Sequence, residues 1–252
     1  MLKKLLVIFA LAMALSVPAL AQDKNKVYIN GIDANFPPFA FVGPDGKPTG
    51  FDVEAMDWIA KEFGFKVEHQ PMEWSGIVAS LKARKIDMIS SGLSVTPERA
   101  TQISFSEPYW TIKQVVVVAK DSELTLEQAL STGLKVGVQA GTSDAKAMAD
   151  TNGKDGRKYE LVEYPNSALA AQDVMNGRIS AAVMNDAPAA DAAAKIAVKI
   201  IGEAGIPNEL FGVGVAKDDP ETLKLVNEGL KKLMADPYWQ VLVDKYKPGE
   251  VH

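Results

Sequence analysis

The 252 residues contain no cysteine. That removes disulfides, thiol nucleophiles and thiolate metal sites together. Histidine is nearly missing as well. His69 and His252 are the only two, and they share no ligand spacing, which argues against an imidazole metal centre. No G-x-S-x-G elbow, phosphate-binding P-loop or dinucleotide fingerprint occurs. No cofactor and no metal are therefore expected. The 32 acids leave hydrolytic carboxylate pairs open in principle, but no local pattern points to one. Linkers rich in Pro, Gly or Ser, low-complexity tracts and heptad repeats are absent too.

Positive charge is in short supply. The chain carries a formal charge of −5. Its first 21 residues hold two lysines and no acid, so the remainder stands at −7. Such a surface argues against nucleic acid or an anionic membrane as partner. The one long hydrophobic run is "LLVIFALAMALSV", after Lys3 and Lys4 and before the A-x-A site Ala19-Leu20-Ala21. This is the grammar of a cleavable export signal over residues 1–21, with a mature chain from near Gln22. The run is short for a spanning helix; a retained N-terminal anchor is the alternative. With no cysteine at the cleavage site, no lipid anchor is expected. A freely soluble, periplasmic protein follows, and release outside the cell stays open.

The rest alternates short apolar runs with amphipathic helices. Strands are expected at "KVYINGID", "KVEHQPM", "IDMISSG", "QVVVVAK", "KVGVQAG", "ISAAVMN" and "FGVGVAK". Helices are expected at "FDVEAMDWIAKEFG", "SGIVASLKARK", "LTLEQAL", "ALAAQDVMNG", "APAADAAAK", "PETLKLVNEGLKKLMAD" and "PYWQVLVDKY", with others opening near Thr96 and Ser143. The alternation predicts an α/β fold with mainly parallel sheets. One echo hints at two similar lobes: "SLKARKIDMISSG" and "DVMNGRISAAVMND" share a helix end, a basic residue (Lys85, Arg178), an isoleucine (Ile86, Ile179), an apolar strand and polar loop residues. In open α/β sheets ligands bind where strands end in such loops.

Three loops carry candidate chemistry. "SSGLS" ends a buried strand, with Gly92 allowing close approach to the backbone. "GVQAGTSDA" places Thr142 and Ser143 at a helix N-terminus, a ready anion site. Arg99 sits in the first turn of a helix capped by Thr96, where a cation is locally unfavourable. It matches a carboxylate in shape, although pairing with Glu98 or Glu107 is the plain alternative. Asp186 follows the buried run "AAVM", either as a helix cap or as the partner of a cation. Arg99 with Thr142 and Ser143 could hold a carboxylate; Asp186 with Ser94 and the Gly92 carbonyl could hold an ammonium. Phe36, Phe39 and Trp74 fit a ligand wall or ordinary core.

The motifs "GIDANFPPFAF" with "GFDVE", "ISSGLSVTPERATQISFSEPYW", "VGVQAGTS" and "VMNDAP" resemble the periplasmic polar-amino-acid-binding proteins of ABC importers, solute-binding protein family 3. The resemblance covers essentially all of the mature chain. It implies a two-lobed periplasmic binding protein of type II, a "venus flytrap" with the ligand cleft between lobes. Residues 22–111 plus 209–252 would form lobe one and 112–208 lobe two. The closed form would be read by an ABC importer permease in the inner membrane. It further implies Arg99, Thr142 and Ser143 as carboxylate contacts, Ser94, Gly92 and Asp186 as ammonium contacts, and Phe36 and Trp74 as flanking aromatics. Asp33, Ser91, Gln139 and Asn185 would read the side chain. Phe36 departs from a frequent tyrosine, and Gln139 is neutral where some members carry charge. Arginine, lysine, histidine, glutamine and ornithine all remain open. A monomer without catalysis is expected. The rivals are a same-fold enzyme such as a dehydratase, with Glu73 as its nearest general acid, and a sensory module reporting occupancy to a receptor.

Overall fold

The computed structural model describes residues 26–247; the expected export segment 1–21 lies outside them. Two five-stranded sheets organise the chain. The first runs, in spatial order, Lys66–Pro71, Val27–Ile32, Met88–Ile89, Gly214–Ala216 and Ile103–Phe105. The second runs Tyr159–Tyr164, Leu134–Gln139, Ala181–Asn185, Gln114–Ala119 and Val198–Glu203. In each, the first three strands are parallel, the fourth runs antiparallel to them, and the fifth, antiparallel to the fourth, runs with the first three. The sheets are thus mixed. The run Gln114–Ala119 is buried along most of its length, so its apolar pattern is the same whichever way it points.

Helices cover both faces of both sheets. Phe51–Phe63 stops where Gly64 turns left-handed at φ 73°. Its Ile59 and Met56 pack with Val226 and Leu230 of Pro220–Ala235 in one core, while Ile77, Leu81 and Ile86 fill the opposite side. The second sheet has its own pair of cores, one holding Val136, Val138 and Met148, the other Val117, Ala171 and Val174.

The echo in the sequence is a structural equivalence. Met88–Ile89 and Ala181–Asn185 hold the same central place in their sheets. Beside them, Gly31 and Gly137 hold the same place in the neighbouring strands. A methyl group on Gly31 would come within 2.5 Å of Ile86 Cδ1, and one on Gly137 within 2.6 Å of Ile179 Cδ1. Each lobe therefore uses a glycine to seat the isoleucine that leads into its central strand.

A small antiparallel ribbon joins the lobes. Trp110–Ile112 pairs with Glu209–Phe211, setting Ile112 opposite Glu209. Trp110 meets Phe51 edge-on at 4.9 Å between centroids, and Phe211 meets Phe39 at 5.1 Å. These contacts, each worth about 0.5–1.5 kcal/mol beyond burial, fasten the ribbon to the first sheet's aromatic core.

Candidate functional site

A small cavity lies between the two sheets at the ends of their parallel strands. Eleven of the twelve residues expected at the site line it; Asp186 does not.

Lobe-one residues form one wall. Phe36 lies against Gly92: a methyl group on that glycine would approach Phe36 Cε1 to 2.4 Å, and its φ of +60° disfavours any other residue. The loop "SSGLS" offers fewer free groups than its sequence implies. Asn30 Oδ1 accepts the Ser90 N–H at 2.7 Å, Ser91 Oγ accepts the Asp33 N–H at 3.0 Å, and Asp52 Oδ2 accepts the Gly92 N–H at 2.6 Å. Asp52 is buried, and burial pushes its carboxyl up to about 7 against the pull of that hydrogen bond.

Arg99 stands where the walls meet. Its guanidinium donates to the Ser94 carbonyl at 3.0 Å and, across the cleft, to the Gly141 carbonyl at 3.1 Å. It sits 5.6 Å from the Trp74 ring centroid, within cation–π range. Neither Glu98 nor Glu107 forms an ion pair with it. Burial lowers its proton affinity, while Glu209, Asp144 and Glu98 raise it. The unfavourable placement in the helix's first turn thus has a tertiary reason.

The second sheet supplies the facing wall. Thr142 caps the helix Ser143–Thr151, accepting the Ala145 N–H at 3.1 Å. Gly141, at φ +76°, lets the turn run against Ser75, whose Cα would lie 2.9 Å from a methyl group there. Gln139 donates to Asp33 Oδ2 at 2.6 Å, while the Asn35 N–H donates to Asp33 Oδ1 at 3.0 Å. Burial raises the Asp33 carboxyl, and the Gln139 hydrogen bond opposes it. Asp33 lies two residues beyond Gly31 and Gln139 two beyond Gly137, so equivalent ends of equivalent strands meet across the cleft.

Two lining donors, Trp74 Nε1 and Asn185 Nδ2, are buried with no partner in the structure. Such donors cost about 1–3 kcal/mol each until something accepts from them. They make the cavity suited to a polar guest.

Asp186 opens the helix Asp186–Lys195, but its Oδ1 accepts the Ala187 N–H at 3.0 Å; the cap position belongs to Asn185, and the lining acids are Asp33 and Asp144. Glu73 is exposed and does not line the cavity. Asp144, which the sequence reading passed over, lines it at 5 % exposure. Burial, then the charge of Glu209, pushes the Asp144 carboxyl up to about 7, against Arg99 and the Ser143 hydroxyl. An acid directly after "GTS" reads as an ordinary first-turn residue. Glu209 also escaped notice. Ser143 Oγ donates to its Oε2 at 2.6 Å.

Among the described residues there is no group of three or more acids or histidines placed to hold a metal, and no helix long and apolar enough to cross a membrane. The arrangement provides one cation beside a helix N-terminus, two acids, free donors and two aromatic faces.

Proteins similar to this chain are described as binding amino acids. The chain is 32 % identical to the L-cystine-binding protein TcyJ of Escherichia coli (strain K12), across 96 % of its own length and 93 % of that protein's. An ancestral arginine-binding protein bound to arginine superposes with a TM-score of 0.79 at 34 % identity, covering 89 % of this chain and 99 % of the other. The ancestral amino acid-binding protein AncCDT-1, described as a precursor of cyclohexadienyl dehydratase, matches with a TM-score of 0.79 at 35 % identity, over 87 % and 95 % of the two chains. The profile of one family spans residues 28–249, nearly everything the structure describes, and the chain belongs to that family, the bacterial extracellular solute-binding proteins, family 3.

Proposed function

We propose that the protein binds one free L-amino acid with a polar or basic side chain, closes around it, and presents it to an ABC importer permease in the inner membrane. Residues 22–111 with 209–252 act as one lobe and 112–208 as the other. Arg99, Thr142 and Ser143 receive the α-carboxylate. Ser94, the Gly92 carbonyl and Asp186 receive the α-ammonium. Phe36 and Trp74 flank the side chain, whose end reaches Asp33, Ser91, Gln139 and Asn185. The protein is an exported, unanchored periplasmic monomer without catalysis or affinity for nucleic acid.

The observation that carries this reading is Arg99. It lines the cavity between the sheets and already bridges the two walls through the Ser94 and Gly141 carbonyls. A guest carboxylate there would bind groups of both lobes at once, which is how a ligand shifts a hinge equilibrium toward closure.

The test is a thermal-shift screen of the mature chain, unfolded and refolded to strip carried-over ligand, against the common L-amino acids and ornithine. A ligand at a hundred times its Kd adds about 2.7 kcal/mol, which raises Tm by about 5–10 °C for a chain of this size. A shift with one or two polar or basic amino acids is expected. No shift with any of them, from a folded sample, refutes the reading.

A further inference from the structure

Where a guest's carboxylate would bind, the protein already holds carboxylates of its own. Ser143 Oγ donates to Glu209 Oε2 at 2.6 Å and lies 3.5 Å from Asp144 Oδ1. Glu209 stands on the joining ribbon opposite Ile112, outside the inner cavity, and borders the broader cleft mouth along with Arg99, Thr142 and Ser143. Asp144 lies on the inner side, buried. Arg99 is the one cationic side chain lining the cavity among the described residues.

The other charged groups do not relieve this crowding. From the helix Pro97–Gln102, Glu98 adds a further negative charge near Arg99. On the helix Ser143–Thr151, Lys146 is exposed and paired with Asp150 at 2.9 Å. Asp33 shares the cavity but has its oxygens occupied by Gln139 and Asn35. An arriving α-carboxylate would therefore be the third acid beside a single guanidinium. Like charges gathered in one partly dry site cannot all remain ionised.

We propose that Glu209 is a built-in rival of the ligand's α-carboxylate, holding the Ser143 hydroxyl until the ligand takes it, and that this exchange draws one proton from solvent onto the Asp144–Glu209 pair. The inference rests on the amino-acid-binding reading and adds to it the residue that sets the strength and pH dependence of that binding. Ligands carrying a second carboxylate at this end are rejected by the same charge. Because the bound state holds more protons than the free state, affinity is full in mild acid and falls as pH rises. The fall is steepest above about pH 7, where the free protein has released the proton that Asp144 carries.

The test is titration calorimetry on refolded mature protein at pH 6, 7 and 8, with L-arginine, L-histidine, L-glutamine and L-cystine as probes, each in two buffers of different ionisation enthalpy. Wild-type protein should lose about three- to tenfold in affinity from pH 7 to 8, the limit for one linked proton being tenfold per unit, and the two buffers should report proton uptake. Glu209→Gln keeps an oxygen for Ser143 but loses the charge. It should bind at least fivefold more tightly at pH 8 and flatten the pH profile. Asp144→Asn should flatten it as well, while Glu127→Gln, exposed on the helix Leu126–Ser131 and away from the cavity, should match wild type. Binding that ignores pH, or that weakens in Glu209→Gln, overturns the inference and leaves the amino-acid-binding reading standing. Binding of none of the probes, in a sample that also fails the full thermal-shift screen, removes both.

Discussion

Replacing Arg99 by alanine deletes a guanidinium that makes two hydrogen bonds to carbonyls, one of them across the cleft, and that faces an aromatic ring. In the ligand-free protein the cost is small. Each charge-assisted bond is worth about 1.5–3 kcal/mol, but removing a guanidinium that burial disfavours returns much of that. A net loss of about 1 kcal/mol moves Tm by about 2–4 °C in a chain of this length. The bound state loses far more, because the guest's carboxylate is left without its fork-shaped partner. Truncating one side of a desolvated, hydrogen-bonded pair costs about 2–5 kcal/mol, or roughly 30- to several-thousand-fold in Kd. Arg99 is half-buried, which places the expectation near a hundredfold. Calorimetry on refolded Arg99→Ala, with circular dichroism to verify the fold, reads both quantities. Arg99→Lys keeps the charge without the fork and should fall between the two. Near-wild-type affinity in a folded Arg99→Ala protein would refute the reasoning, because nothing else lining the cavity carries positive charge.

Two further substitutions probe other parts of the site. Asp33→Asn should weaken basic amino acids at least tenfold more than neutral ones, since it removes the charge at the far end of the cavity; equal losses in competition binding would make Asp33 a structural link to Gln139 alone. Asp52→Asn probes the support beneath Gly92. In the folded chain the Asp52 carboxyl titrates near 7, well above its value when unfolded, so the native state holds a proton that the unfolded state releases. That contribution is complete below about pH 4 and disappears as pH rises through 7, for a change on the order of a few kcal/mol. Tm measured from pH 5 to 8 should therefore fall less in Asp52→Asn, and parallel curves would show that the buried acid is not protonated.

The elements that pack on both sides were readable because burial writes itself into sequence. "KVYINGID", "QVVVVAK" and "AAVM" are apolar wherever a sheet has helices above and below. Thr96, Thr142 and Gly64 punctuate helices by local chemistry alone. The direction of Gln114–Ala119 is set by the chain path, so the mixed character of the sheets could not be read from it. At the site, Arg99 betrayed itself by breaking a local rule, and Gly92 by interrupting a buried strand. Asp144 and Glu209 broke none. An acid belongs in the first turn of a helix. Glu209 gains its meaning from a partner 66 positions away and from a three-residue ribbon too short to leave a pattern. Asp52 was hidden likewise, an acid at the start of a helix that also happens to reach a distant N–H.

The joining ribbon also dictates an order of events during synthesis. Every strand of the second sheet lies between residues 114 and 203, so that sheet is complete once this stretch has been made. The first sheet must wait, because Gly214–Ala216 fits between Met88–Ile89 and Ile103–Phe105. The inner segment therefore folds as a continuous insert, while the outer one keeps an open seam until the C-terminal part arrives. Pulse-labelled hydrogen exchange on a released chain truncated near residue 208 should find the second sheet protected and the first exposed; the reverse pattern would contradict this order. Because Ile112 and Glu209 face each other across the ribbon, the insert leaves and re-enters at one doorway, about 5 Å wide. A tight turn placed there would close lobe one without the segment between, making the ribbon a natural point for excision or for grafting a foreign domain.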